Sequence, residues 1–223
     1  MALLLAGCAG QYQTRGEALR RDQGTPRILL MPMDVELSEL SPGGTEVPNG
    51  DWTHAGMRNI ETAATAFLNG RGARLVAYVP PPADSAESHD DGQLVALDEV
   101  LGGHIKSQQE APTQQIPTKG ARFDWSLGPA AVALGKRYAA DYALFVHVKD
   151  SYMGVGRMVY AVVAFSVLGV YDSGGHQRGS ASLVDLSNGN VVWHHAFSRN
   201  SGDLREAGVA AESVRLLLNG LPR

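Results

Sequence analysis

The 223-residue chain has one cysteine, which excludes a framework of internal disulfides and any cysteine-rich zinc site. It lacks a dominant charge: 19 Lys and Arg stand against 23 Asp and Glu, leaving no basic footprint for nucleic acid. No nucleic-acid partner is expected. Aromatic residues are sparse at 7%, yet 44% of the chain is hydrophobic, so a packed core is expected and disorder, collagen and coiled coil are not. No apolar run reaches the roughly 17–25 residues of a membrane-spanning helix. The longest, residues 158–171, has Ser166 as its one strongly polar side chain. Val159, Val162, Val163, Val167 and Val170 lean it toward strand, while its length and the nearby Gly154, Gly156 and Gly169 suit a buried helix; core packing is the expectation.

What is present begins at that single cysteine. Met1-Ala2-Leu3-Leu4-Leu5-Ala6-Gly7-Cys8 is an apolar run closing on small residues, the pattern that ends a secretory signal. Leu5-Ala6-Gly7-Cys8 resembles the lipobox of bacterial lipoproteins. The resemblance implies a peptidase that recognises Leu5, Ala6 and Gly7 and cuts before Cys8. It also implies that Cys8 carries a thioether-linked diacylglycerol and, on its new amino group, a fatty-acyl chain such as palmitate. Ala9, where Asp would favour inner-membrane retention, implies the outer membrane and its periplasmic face. Residues 1–7 thus read as part of a signal peptide, shorter than the usual basic and apolar regions together. Residues 8–26, with Gly10, Gly16, Gly24, Arg15, Arg20 and Arg21 and no apolar period, read as the lipidated cysteine and a flexible tether.

Residues 27–221 read as one α/β domain. A buried strand is expected over 27–33 and a half-exposed one over 35–40. Asp51 is placed to cap a helix carrying Met57, Ile60, Ala64, Phe67 and Leu68. A strand over 73–79, an acidic loop over 85–92 and a helix marked by Leu94, Leu97, Leu101 and Ile105 follow, then a surface loop over 108–120. Ser126 is placed to cap a helix with Pro129 in its first turn and Leu127, Ala131, Leu134 and Tyr138 on its buried side. Residues 140–152 alternate as a long strand, with Tyr142, Leu144, Val146 and Val148 on one face and Phe145, His147 and Lys149 on the other. Asn188-Gly189 predicts a type I′ hairpin between strands over 178–186 and 191–198. Asp203 and Glu206 suggest a capping box for a last helix carrying Leu204, Ala207, Ala211, Val214, Leu217 and Leu218. A parallel crossover beside a tight C-terminal hairpin predicts a mixed sheet with flanking helices.

Candidate chemistry is thin. None of the seven histidines has the spacing that places two imidazoles on one helix face, and His194 and His195, adjacent on a strand, point to opposite faces. No metal site and no cofactor is expected. A serine hydrolase built from Ser180 or Ser182 with His194 or His195, and with Asp185, is the enzymatic alternative, although Gly179-Ser180-Ala181-Ser182 lacks the second glycine of a nucleophile elbow. Gly154-x-Gly156 lacks a third glycine and a Walker lysine, so no nucleotide cradle is formed. Asp90-Asp91 reads as solvated surface, and Asp51-Trp52 and Asp124-Trp125 read as helix starts with aromatic anchors.

The strand Asp141-Tyr142-Ala143-Leu144-Phe145-Val146-His147-Val148 and the segment Ser180-Ala181-Ser182-Leu183-Val184-Asp185-Leu186-Ser187-Asn188-Gly189-Asn190-Val191-Val192-Trp193 resemble a hairpin pattern of envelope lipoproteins. It is similar to that of the curli-export lipoprotein and of TolB amino-terminal-like domains. The resemblance covers about fifty-five residues and implies a mixed-sheet α/β domain acting in envelope assembly or export without catalysis, with Asn188 where threonine is usual. The apolar stretch 158–171 departs from the curli-export pattern. The expected protein is therefore a non-catalytic, lipid-anchored binding or assembly module with an envelope protein partner; a subunit of an oligomeric membrane export complex is the other alternative.

Overall fold

A computed structural model describes residues 10–14, 19, 24–41, 43–110, 116, 122–153, 175–200 and 202–222. Its longest strand, β6 (Tyr142–Met153), divides its two edges between partners of opposite sense. Along one edge runs β7 (Gly175–Asp185), antiparallel over the full length, followed by β8 (Asn190–Arg199) and then β1 (Gly10–Thr14). Two short strands share the other edge in parallel: β2 (Arg27–Leu30) beside Tyr142–Leu144, and β3 (Asp34–Leu40) beside His147–Met153. Pro32, with no amide hydrogen to give a ladder, separates them. This breaks the single strand expected over 27–33 at Leu30. β5 (Arg74–Val76) adds in parallel to β2, and β4 (Glu46–Pro48) turns back on β3, completing an eight-stranded mixed sheet.

The helices α1 (Gly50–Gly70), α2 (Ala86–Glu110), α3 (Pro129–Tyr138) and α4 (Ala207–Leu217) cover both sides of this sheet. The period of two along β6 sorts the core. Tyr142, Leu144, Val146 and Val148 pack with Ile60, Ala64 and Leu68 of α1 and Val214 and Leu217 of α4. Ala143 and Phe145 pack with Leu94 and Ile105 of α2 and Ala131 and Leu134 of α3. Each large side chain buried in these layers contributes about 1.5–3 kcal/mol. The mixed-sheet α/β architecture is thus the one expected.

Several boundaries differ, for local reasons. Asn49, not Asp51, caps α1: its Oδ1 accepts from the Trp52 N–H at 3.1 Å. The strand expected over 73–79 keeps only Arg74–Val76. The acidic stretch expected as a loop belongs to α2, entered at Ser85, whose Oγ accepts from the Ser88 N–H at 3.1 Å. Asp91 is accordingly buried, ion-paired with Arg137 and accepting from the Tyr78 hydroxyl at 3.0 Å. Ser126 bonds the Gly128 N–H at 3.1 Å rather than capping α3, which starts after Gly128 with Pro129 in its first turn; Trp125 precedes an isolated bridge, not a helix. Asp203 holds a turn through Arg205, and α4 begins only at Ala207. Within the stretch read as tether, Gly10–Thr14 pairs with β8 and Leu19 lies in the core. The stretch 158–171 lies outside the described residues.

The hairpin forms where Asn188-Gly189 places it, with another turn. Four residues, 186–189, connect Asp185 to Asn190, and only Gly189 has positive φ, at +80°. Asp185 Oδ1 accepts from the Ser187 N–H at 2.8 Å and Asn188 Oδ1 from the Asn190 N–H at 2.8 Å, so the side chains close the loop without a left-handed Asn188. The tip docks through Gly189 O, which accepts from the Leu127 N–H at 2.8 Å and the Ser126 hydroxyl at 3.0 Å. A Cβ on Gly189 would strike the Gly128 carbonyl. Gly189→Ala is therefore expected to cost about 2–4 kcal/mol, strain and collision combined, in urea unfolding, and a loss under about 0.5 kcal/mol would contradict this docking.

Candidate functional site

Beyond Phe145, β6 points His147 and then Lys149 to the side covered by α2. The parallel register places Asp34 beside His147 and Glu36 beside Lys149, while on the β7 side Ser180 pairs with His147 and Ser182 with Phe145. One strand further, His194 pairs with Ser182. Gly102 lets α2 settle onto this row, since a Cβ there would stand 2.9 Å from His194 Cε1. The same helix delivers Asp98 and Glu99.

The His147 ring sits between two carboxylates. Its Nδ1 lies 3.3 Å from Asp34 Oδ2 and its Nε2 3.1 Å from Asp98 Oδ2, both distances for N–H donors. Burial alone would discharge the ring, but the hydrogen bonds and charges of Asp34 and Asp98 overcome it and lift its pKa to about 9. At neutral pH it is an imidazolium joining β3, β6 and α2. The same hydrogen bond, opposed by burial, holds the Asp34 carboxyl below its ordinary value. Lys149 Nζ stands 2.9 Å from Glu99 and 3.9 Å from Glu36, and its pKa is raised, first by the hydrogen bond to Glu99. A cavity of about 180 Å³ opens here, lined in part by Glu99, Lys106, His147, Lys149, Arg178 and Ser180.

Of the residues considered for a hydrolase, Ser182 and His194 are brought together. Ser182 Oγ and His194 Nδ1 are 3.0 Å apart, but each residue is only 1% exposed and neither lines the cavity. Burial pushes the His194 pKa down to about 4, so its ring is neutral. Among the described residues, α2 covers this pair through Gly102. Ser180 does reach the cavity, where its neighbour across the ladder is the cationic His147, and its Oγ and the His194 ring both lie against Gly102. His195 lies on the opposite face, donating from Nδ1 to Leu217 O at 2.9 Å and stacked on Trp193. Asp185 is engaged in the hairpin turn. Cys8, Leu5, Ala6 and Gly7 lie outside the described residues. Asp34, Asp98 and His147, which do converge, sit 113 and 49 positions apart, and only the outward phase of His147 in an apolar strand hinted at them.

A second buried network occupies the other face. Asp150 Oδ2 accepts from Gln177 Nε2 at 2.6 Å, from the Leu204 N–H at 3.4 Å and from the Tyr152 hydroxyl. Arg199 donates to Gln177 Oε1 at 2.8 Å and to Ser213 Oγ at 2.7 Å, tying β8 to α4. Burial raises the Asp150 pKa to about 6 despite these donors. Beside it, Arg205 lies over the Trp52 and Tyr152 rings at 4.3 and 4.7 Å. The donors serve internal partners, so this network fastens β6, β7 and β8 to α4.

No family model and no curated protein matches the chain. Among solved structures, it is similar to a PelC dodecamer from Paraburkholderia phytofirmans, with 15% identity over 96% of this chain and 99% of that one and a TM-score of 0.45. A single-substitution variant of that dodecamer gives 17% identity over 95% and 96% of the two chains and a TM-score of 0.43. Neither likeness is strong enough to assign a role. No helix among the described residues is long and apolar enough to cross a membrane.

Because the folded pKa of Asp150 lies above the unfolded value, its stability contribution is complete below about pH 4 and is lost as pH rises through about 6. Asp150→Asn keeps an acceptor for the three donors and removes the titration. Its unfolding free energy is expected to change less than the parent's between pH 4 and 7, by about 1–3 kcal/mol. Parallel profiles for the two proteins would contradict the raised pKa.

Proposed function

We propose that the chain is a lipid-anchored lipoprotein of the outer membrane, facing the periplasm and serving as a non-catalytic binding and assembly module of the cell envelope. The observation that carries this reading is Leu5-Ala6-Gly7-Cys8, with Cys8 as the lipid attachment point. The resemblance of the β6 to β8 segment to the curli-export lipoprotein and TolB amino-terminal-like domains accords with it. Each acyl methylene placed in the bilayer contributes about 0.8 kcal/mol, so several chains anchor durably where one is marginal.

On this reading the anchor lies next to β1. Only Ala9 separates Cys8 from β1, and Gly10 pairs with Ser198, which pairs in turn with Arg178. An anchored domain would therefore hold that end of the sheet close to the bilayer instead of hanging on an eighteen-residue tether. The inaccessible Ser182–His194 pair and the protonated His147 beside Ser180 favour a binding role over hydrolysis.

Cys8→Ala is expected to move the protein from the membrane to the soluble periplasmic fraction and to abolish labelling by a palmitate analogue. Unchanged partitioning would overturn the anchor. Sedimentation of the Cys8→Ala protein as a monomer is expected for a binding module; a discrete high-order assembly would shift the reading to a subunit of an oligomeric export complex.

A further inference from the structure

Asp34 at the start of β3, Glu99 on α2 and His147 on β6 each bring one ligand atom to a common point, and these atoms all lie within 4.8 Å of one another. We propose that they form a binding site for a single divalent transition-metal ion, with zinc the best match, which would fasten α2 to the sheet.

Three features of the geometry carry this. First, Asp34 Oδ2 and His147 Nδ1 are 3.3 Å apart, about the edge of a tetrahedron whose bonds to zinc are about 2.0–2.2 Å. Second, His147 is oriented as metal-bound histidines are: its other nitrogen, Nε2, lies 3.1 Å from the buried carboxylate of Asp98. Third, the cavity of about 180 Å³ beside Glu99 and His147 leaves room for a water in a fourth position. Asp34 and Glu99 are half-exposed, with 40% and 42% of their side chains accessible, so packing does not lock either carboxylate in place.

The chemistry selects the ion. One imidazole with two carboxylates suits zinc, cobalt or manganese, whereas calcium asks for six to eight oxygens and magnesium dehydrates reluctantly. On binding, the ion takes the place of the Nδ1 proton, which leaves to solvent, while Asp98 keeps its hydrogen bond to Nε2–H. Lys149 is the competing cation, with Nζ 2.9 Å from Glu99 Oε1. The ion can enter when that ammonium turns to Glu36, already 3.9 Å away. The sequence hid this site because its ligands come from three separated elements and include only one histidine.

The test uses the purified full chain after chelator treatment. Calorimetric titration with zinc is expected to show one saturable equivalent, cobalt to give visible absorption bands of a nitrogen and oxygen site, and zinc to raise the melting temperature. Asp34→Asn combined with Glu99→Gln alters only half-exposed side chains and should weaken binding by about tenfold or more, with the circular dichroism spectrum retained. Lys149→Met should tighten binding, since Glu99 is released; weaker binding in that variant would contradict a ligand role for Glu99. Absence of a saturable equivalent, or binding that the double variant leaves unchanged, would overturn the proposal and assign any bound zinc to other histidines such as His54 or His89.

Discussion

The fold is keyed by one buried cation. His147 stands on the central strand, and its two ring nitrogens face Asp34 on β3 and Asp98 on α2. In the metal-free protein that charge joins β3, β6 and α2 at one point. Taking the charge away would leave the carboxylate of Asp98, only 1% exposed, buried without its counter-ion. Breaking a buried pair in this way costs about 3–5 kcal/mol, a large share of the 5–15 kcal/mol that holds a typical domain together. The apolar layers supply most of the driving force, with Leu94 and Ile105 packing α2 on the sheet, and the imidazolium ties the middle of that helix to β3 and β6.

The sheet is polar on both faces of its outer half, and the two polar regions work differently. On the α2 side, charges of opposite sign meet beside a cavity: His147 and Lys149 against Asp34, Asp98, Glu36 and Glu99. On the α1 and α4 side, Asp150, Gln177, Arg199 and Ser213 form a chain of hydrogen bonds. The first lines a cavity of about 180 Å³. The same contrast sets the Ser182–His194 pair apart from the cavity. Ser182 and His194 lie on the α2 side but inward of the cavity, under Gly102, where the two groups satisfy each other.

How much of this was legible in the sequence depends on the range of the interaction. The alternation along β6, the core face of α1 and the hairpin around Asn188-Gly189 are local patterns, and they appear where expected. Turn geometry was less so: Asp185 and Asn188 close the loop with their own side chains, and a single left-handed glycine suffices. The acidic residues of α2 looked like solvent-facing loop because charge density resembles exposure. Arg137 and Tyr78 convert Asp91 into a buried anchor, and neither partner is near it in sequence. The polar opening segment looked like a tether because strand addition at a sheet edge needs backbone pairing, and backbone pairing leaves little mark on composition. The alternation along β6 puts His147 on the correct face, while its carboxylates come from 49 and 113 positions away, beyond any local pattern.

The most direct test of the keystone is the protonation of that ring in the metal-free protein. Long-range proton–nitrogen correlation of the histidine side chains by nuclear magnetic resonance distinguishes an imidazolium from either neutral tautomer. His147 is predicted to carry protons on both nitrogens at pH 7 and to titrate at about 9. A neutral ring at pH 7, titrating at or below the ordinary value of 6.5, would contradict the account.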